Sequence, residues 1–132
     1  MHRGFLLAGT VFSFLAVAFG AFAAHALERL LSIKAMNTFE TGVRYQFYHS
    51  LALLFTGLLF KYFPVSTVKW AGRFFITGII LFSFSLYFLS ILQSLVVPGY
   101  KWFGIITPFG GIAFLCGWSL LFYTFIKWQK TL

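Results

Sequence analysis

Long apolar runs separated by short polar stretches set the pattern of this chain. Between Gly4 and Leu27 only His25 can carry charge. No charged residue occurs from Phe74 to Tyr100 or from Trp102 to Ile126. About 20 apolar residues in a helix cross the ~30 Å hydrocarbon core of a bilayer, and each run is that long. A fourth run, Leu51 to Phe60, is shorter. Upstream of it, Asn37 followed three residues later by Glu40 reads as a helix-opening pair. Downstream, Pro64 disfavours the helical conformation at Phe63. Pro98-Gly99 closes the third run, and Pro108 sits in the first turns of the fourth helix, where a missing N–H costs least. The pattern predicts helices over residues 4–27, 38–63, 71–95 and 103–127. The expected fold is all-α: a four-transmembrane-helix bundle in a single integral membrane domain, residues 1–132. Its second helix is extended by an amphipathic, polar N-terminal part.

The first run imitates a secretory signal, with Met1-His2-Arg3 ahead of it and Ala24-His25-Ala26 behind. It exceeds the ~7–15 apolar residues of a signal core, so it is read as a transmembrane helix.

Composition sharpens this picture. Asp is absent, there are two acidic residues, and 61% of residues are hydrophobic. The net charge of +8 comes from ten Lys and Arg spread singly at the ends of the apolar runs. Such positions face lipid phosphates and set topology; they do not form a nucleic-acid patch. With four spans, Arg3, Lys61, Lys69, Arg73, Lys127 and Lys130 share one side, and Arg29, Lys34, Arg44 and Lys101 the other. This bias predicts cytoplasmic termini in a plasma (inner) membrane. Trp70, Tyr100, Trp102 and Trp128 fall at span ends, as interfacial anchors do. The lone Cys116 lies within an apolar run and reads as a small buried hydrophobe.

Polar and small residues form stripes. Gly9, Ser13, Ala16, Gly20 and Ala24 recur every three or four residues on the first helix, which reads as a packing seam. Thr107, Gly110, Gly111, Phe114 and Gly117 fall within about half the circumference of the fourth and read as another close-packed seam. Ser83, Tyr87, Ser90 and Ser94 line the third helix and should face protein, because lipid offers hydroxyls no partners. Ile79 and Leu86 are expected on the opposite, lipid-facing side. This stripe either fixes helix packing or lines a polar pocket.

The second helix carries the most costly residues. Asn37, Glu40, Thr41, Arg44 and Tyr48 share one face, and Glu40 precedes Arg44 by the four residues that favour an ion pair. Arg44 is expected either to snorkel to the interface or to be drawn into the bundle against Glu40, as a partly buried pair. His25, Glu28, Glu40 and His49 approach one membrane surface. Their spacing matches no strong metal motif, so no metal and no cofactor are expected. The candidate polar cluster is therefore His25, Glu28, Glu40, Arg44, Tyr48, His49, Ser83, Tyr87 and Ser90. No phosphate loop, nucleophile elbow or Asp-oriented histidine is present, so no enzyme is expected.

Several segments carry a family resemblance. They are Gly20-Ala21-Phe22-Ala23-Ala24-His25-Ala26-Leu27, Phe39-Glu40-Thr41-Gly42-Val43-Arg44-Tyr45-Gln46-Phe47-Tyr48-His49, Leu81-Phe82-Ser83-Phe84-Ser85-Leu86-Tyr87, and Ile106-Thr107-Pro108-Phe109-Gly110-Gly111 with Gly117-Trp118. In these the chain resembles the YgdD-like family of small membrane proteins, a domain of unknown function. Ala23 and Phe84 stand where that family commonly has glycine, and Phe84 is expected to obstruct a close helix approach. The resemblance implies a four-helix inner-membrane protein and no established activity. The residues then suggest an accessory, interaction or lipid-associated component, with membrane lipids, a protein partner or a second copy as partners. The alternative is a small-molecule or ion binding or transport protein, with a polar cavity around Glu40, Arg44 and the Ser83/Tyr87/Ser90 stripe.

Overall fold

The computed structural model describes residues 1–129. Among these, four long helices form: α1, Arg3–His25; α2, Ile33–Leu59; α3, Ser66–Ser94; and α4, Ile106–Gln129. Short 3-10 turns at Leu27–Arg29 and Tyr100–Ile105 connect them. A π-helical turn, Ile79–Phe84, interrupts α3 without breaking it. The bundle is the expected all-α one. By length and apolarity α1, α3 and the stretch Tyr100–Trp128 can each cross a membrane. α2 matches them in length but not in apolarity, because its polar residues begin in its first turn and continue into its middle.

Helix starts differ from the sequence expectation. α2 opens at Ile33, with the Ser32 hydroxyl accepting a hydrogen bond from the Ala35 N–H at 3.2 Å. Asn37 lies inside the helix and caps nothing, because Ser32 already holds the extended conformation an N-cap requires. α3 starts at Ser66, ahead of the expected residue 71, through an extended Val65 directly after Pro64.

α2 is the central helix. α1 packs along one side of it and α3 along another, while α4 packs on α3. Two apolar clusters result. The larger joins Phe5, Leu53, Val68, Phe75, Ile79, Phe114 and Leu121. The smaller joins Ala23, Phe39 and Tyr87. The expected seam on α1 is real: Gly9 and Ala16 are buried, and a Cβ on Gly9 would meet the Leu54 side chain at 2.8 Å. Ala24, however, is exposed, and Ala23 takes its place. On α4, Gly110 lies against the backbone of Phe82, within the π-helical turn.

Two expectations about α3 fail. Ile79 and Leu86 are buried, not lipid-facing. Each lies one helical turn from Ser83 and so shares its side; the outward stripe is Ile80, Phe84, Phe88 and Ile91. Phe84 therefore obstructs nothing, since its ring points outward, with its nearest ring contact to Tyr87.

Candidate functional site

The nine residues of the sequence-derived cluster separate into an inner and an outer group. His49, Ser83, Tyr87 and Ser90 are buried. His25, Glu28, Glu40, Arg44 and Tyr48 are exposed. Among the described residues, neither recess beside Arg44 is lined by a member of the inner group. The reason is the phase of α2: Phe39, Gly42, Gln46, His49 and Leu53 occupy the side turned to the bundle. Glu40, Arg44 and Tyr48 fall on the other side. Among the described residues Glu40 and Arg44 form no ion pair within 4 Å, so the partly buried pair expected from their spacing is absent.

Except for Ser90, which lies toward the start of α2, the inner group belongs to a polar layer between the two apolar clusters, about halfway along α1 and α2. Its node is Gln46, fully buried. Gln46 Nε2 donates to the Phe12 carbonyl at 2.9 Å, and Gln46 Oε1 accepts from the Tyr87 hydroxyl at 2.8 Å. One amide thereby ties α2 to both α1 and α3. Close by, Ser50 donates to the Phe47 carbonyl at 2.8 Å. Its single proton is then engaged, so Ser13 must donate to Ser50 across their 2.8 Å contact. Ser90 donates to the Ala35 carbonyl at 2.7 Å and fastens the start of α2 to α3.

His49 links α2 to α4. Its ring stacks on Phe114 at a centroid distance of 3.4 Å. Trp118 Nε1 donates to His49 Nε2 at 3.3 Å, and His49 Nδ1 faces the Tyr45 carbonyl at 2.8 Å. The indole can only donate, so Nε2 accepts and the proton sits on Nδ1. Ser83 is the exception in the layer: it is fully buried, and its hydroxyl has no hydrogen-bond partner among the described residues.

The outer group faces away from this layer. Arg44 and Tyr48 border a groove of about 420 Å³ between α1 and α2, with Ala16, Val17, Gly20 and Phe47 along its length. A smaller recess beside it is lined by Gly20, Glu40, Val43 and Arg44. His25 and Glu28 line neither. Among the described residues no three His, Cys, Asp or Glu side chains stand close enough together to hold a metal ion.

A family model described as "Protein of unknown function (DUF423)" matches residues 19–111. A UPF0382 membrane protein of Staphylococcus epidermidis is 41% identical over 93% of this chain and 95% of its own length. The UPF0382 membrane protein YwdK of Bacillus subtilis is 38% identical over 94% of this chain and 97% of its own. The UPF0382 inner membrane protein YgdD of Escherichia coli is 31% identical over 97% and 93%. The chain belongs to the DUF423 family. No solved structure matches it significantly.

The matched region of this DUF423 chain contains Gln46, His49, Ser83, Tyr87 and Ser90, and also Glu40, Arg44 and Tyr48. It therefore spans both groups. Gln46 was the residue the sequence reading missed. The available signal was its register: it follows Phe39 by seven residues and Gly42 by four, on a side of α2 without formal charge. Trp118 was also missed, because its distance of 69 residues from His49 left no local pattern to read.

Proposed function

We propose that this DUF423 protein is a polytopic protein of the plasma (inner) membrane, with both termini cytoplasmic. It works by interaction through its outer surface, as an accessory or lipid-associated component, and catalyses no reaction. Its partners are membrane lipids and protein surfaces, a second copy included, and not nucleic acid. Gln46 carries this reading. Two hydrogen bonds within the bundle engage its amide, at complete burial, where a solute path would need groups turned toward an opening. The lysines, arginines and glutamates among the described residues lie on the outside. The inner-membrane name of the Escherichia coli relative supports the location. The lysine and arginine bias supports the orientation through Arg3, Lys61, Lys69, Arg73 and Lys127; Lys130 lies outside the described residues.

Two measurements test this. A cysteine replacing Ser83 should resist a membrane-impermeant maleimide from both sides of intact membranes, whereas Lys101→Cys should react. Labelling of the Ser83 position without denaturant would mean a water-accessible interior and would overturn the reading. A C-terminal fluorescent-protein fusion should glow and a C-terminal alkaline phosphatase fusion should be inactive. The opposite pair of results reverses the topology.

A further inference from the structure

The outward face of α2 combines three features that point to one ligand chemistry. The first is depth. Gly20 faces Val43, next to Arg44. At about 1.5 Å per residue Gly20 stands roughly 26 Å along α1 from Arg3, so Arg44 lies within about one turn of the hydrocarbon boundary. The second is charge order. Glu40 precedes Arg44 by one turn, toward the membrane surface where α2 begins. Both are exposed, and neither forms an ion pair among the described residues. The third is shape. From Arg44 toward the bilayer centre the groove continues past Gly20 between Val17 and Ala16 on α1 and Phe47 and Tyr48 on α2. Its wall is apolar apart from Arg44 and Tyr48.

A cation near the boundary, a carboxylate one turn farther out and an apolar trough running inward describe the negative image of a zwitterionic lipid. In phosphoethanolamine the phosphate lies next to the acyl chains. The ammonium lies beyond it, two carbons away, so its two charges are separated by about one helical turn. An anionic headgroup without an amine would satisfy Arg44 but meet repulsion from Glu40. A choline headgroup would place methyl groups, which cannot donate hydrogen bonds, against the carboxylate. We infer that the α1–α2 groove binds a phosphoethanolamine-headed phospholipid. Its phosphate is held by Arg44, its ammonium by Glu40, and one acyl chain lies along Gly20, Val17 and Phe47. This deepens the lipid-associated reading above and rests on it.

The test uses the purified full chain in detergent. It is mixed with equimolar phosphatidylethanolamine and phosphatidylglycerol of distinguishable mass, and bound lipid is read by native mass spectrometry. Phosphatidylethanolamine should exceed phosphatidylglycerol by roughly fivefold on the wild-type monomer, a contrast of the size expected for a half-exposed charge contact. Glu40→Gln should bring that ratio close to one, because it removes both the ammonium's partner and the repulsion of the anion. Arg44→Gln should lower retention of both lipids. Lys69→Gln, at the other end of the bundle, should change neither. Melting temperatures of the variants should match the wild type, since both side chains are exposed; a variant that melts early is replaced by Glu40→Asp or Arg44→Lys. A wild-type preference for phosphatidylglycerol would overturn the proposal in favour of a plain anion site. A dimer that Arg44→Gln dissolves, with no lipid retained, would overturn it in favour of a second copy. Either failure would leave Ser83→Cys unlabelled, so it would be distinguishable from failure of the functional reading itself.

Discussion

Gly110→Ala should destabilise the protein strongly, while Gly111→Ala, one residue on, should leave it unchanged or slightly more stable. A Cβ at Gly110 would overlap the Phe82 backbone nitrogen, and would stand 2.7 Å from Phe82 Cβ and 2.8 Å from its Cα. Backbone atoms cannot swing aside as a side chain can. Relief requires α3 and α4 to part along their contact, and forced overpacking of this kind costs about 1–3 kcal/mol or more. At Gly111 the nearest atoms are ring carbons of Phe82 at 3.9 Å, an ordinary contact. There the gain of up to ~1 kcal/mol in helix propensity from glycine to alanine is unopposed. Thermal unfolding of both variants in one detergent, followed by tryptophan fluorescence, reads the contrast. Equal melting temperatures would mean that α3 and α4 do not approach each other as closely as Gly110 implies.

Much of this architecture was legible in the chain because the bilayer limits the choices. Backbone polar groups in hydrocarbon must be paired within the segment, so an apolar run of sufficient length becomes a helix. Glycine and serine at three- and four-residue spacing then mark where helices meet, as Gly9 and Ser13 do. What stayed hidden was decided by partners remote in sequence. Nothing near Ser32 distinguishes it from Asn37 as a cap. The burial of Ile79 follows from helical phase, one turn from Ser83 on the same side, and the hydroxyls that mark this side say nothing of the apolar residues beside them. The outward turn of Phe84 depends on where Gly110 meets Phe82.

The candidate site was half legible, for a physical reason. Charge is conspicuous in an apolar chain, so Glu40 and Arg44 drew a structural role that their exposure does not support. An arginine near the hydrocarbon boundary can reach water or headgroups with its long side chain, and so avoids the cost of burial. A neutral amide has no such escape. Turned into the bundle only two residues from Arg44, it must find partners inside, and Gln46 is where the interior is knitted together. Formal charge was thus a poor guide to which polar residue the bundle depends on, and the side of the helix on which it falls was a better one.

Gln46→Ala should accordingly be the costliest loss among the polar residues. It removes a buried side chain, opens a gap between α1, α2 and α3, and leaves the hydroxyl of the buried Tyr87 without its acceptor. A gap of this size costs about 2 kcal/mol or more by itself. An unpaired buried hydroxyl adds roughly 1–3 kcal/mol. Hydrogen bonds between membrane helices average only about 0.6 kcal/mol and reach about 1.7, so the bonds alone would not produce a large effect. A double-mutant cycle separates the contributions. Gln46→Leu keeps most of the volume but strands the Tyr87 hydroxyl; Tyr87→Phe strands the Gln46 carbonyl oxygen; together they strand neither. The double variant should therefore be more stable than the sum of the single losses predicts, by about 1 kcal/mol in reversible unfolding. If Gln46→Leu alone is as stable as the wild type, the Tyr87 hydroxyl has found water. The interior would then be wet at that depth, and the interaction-based reading of this protein would fall with it.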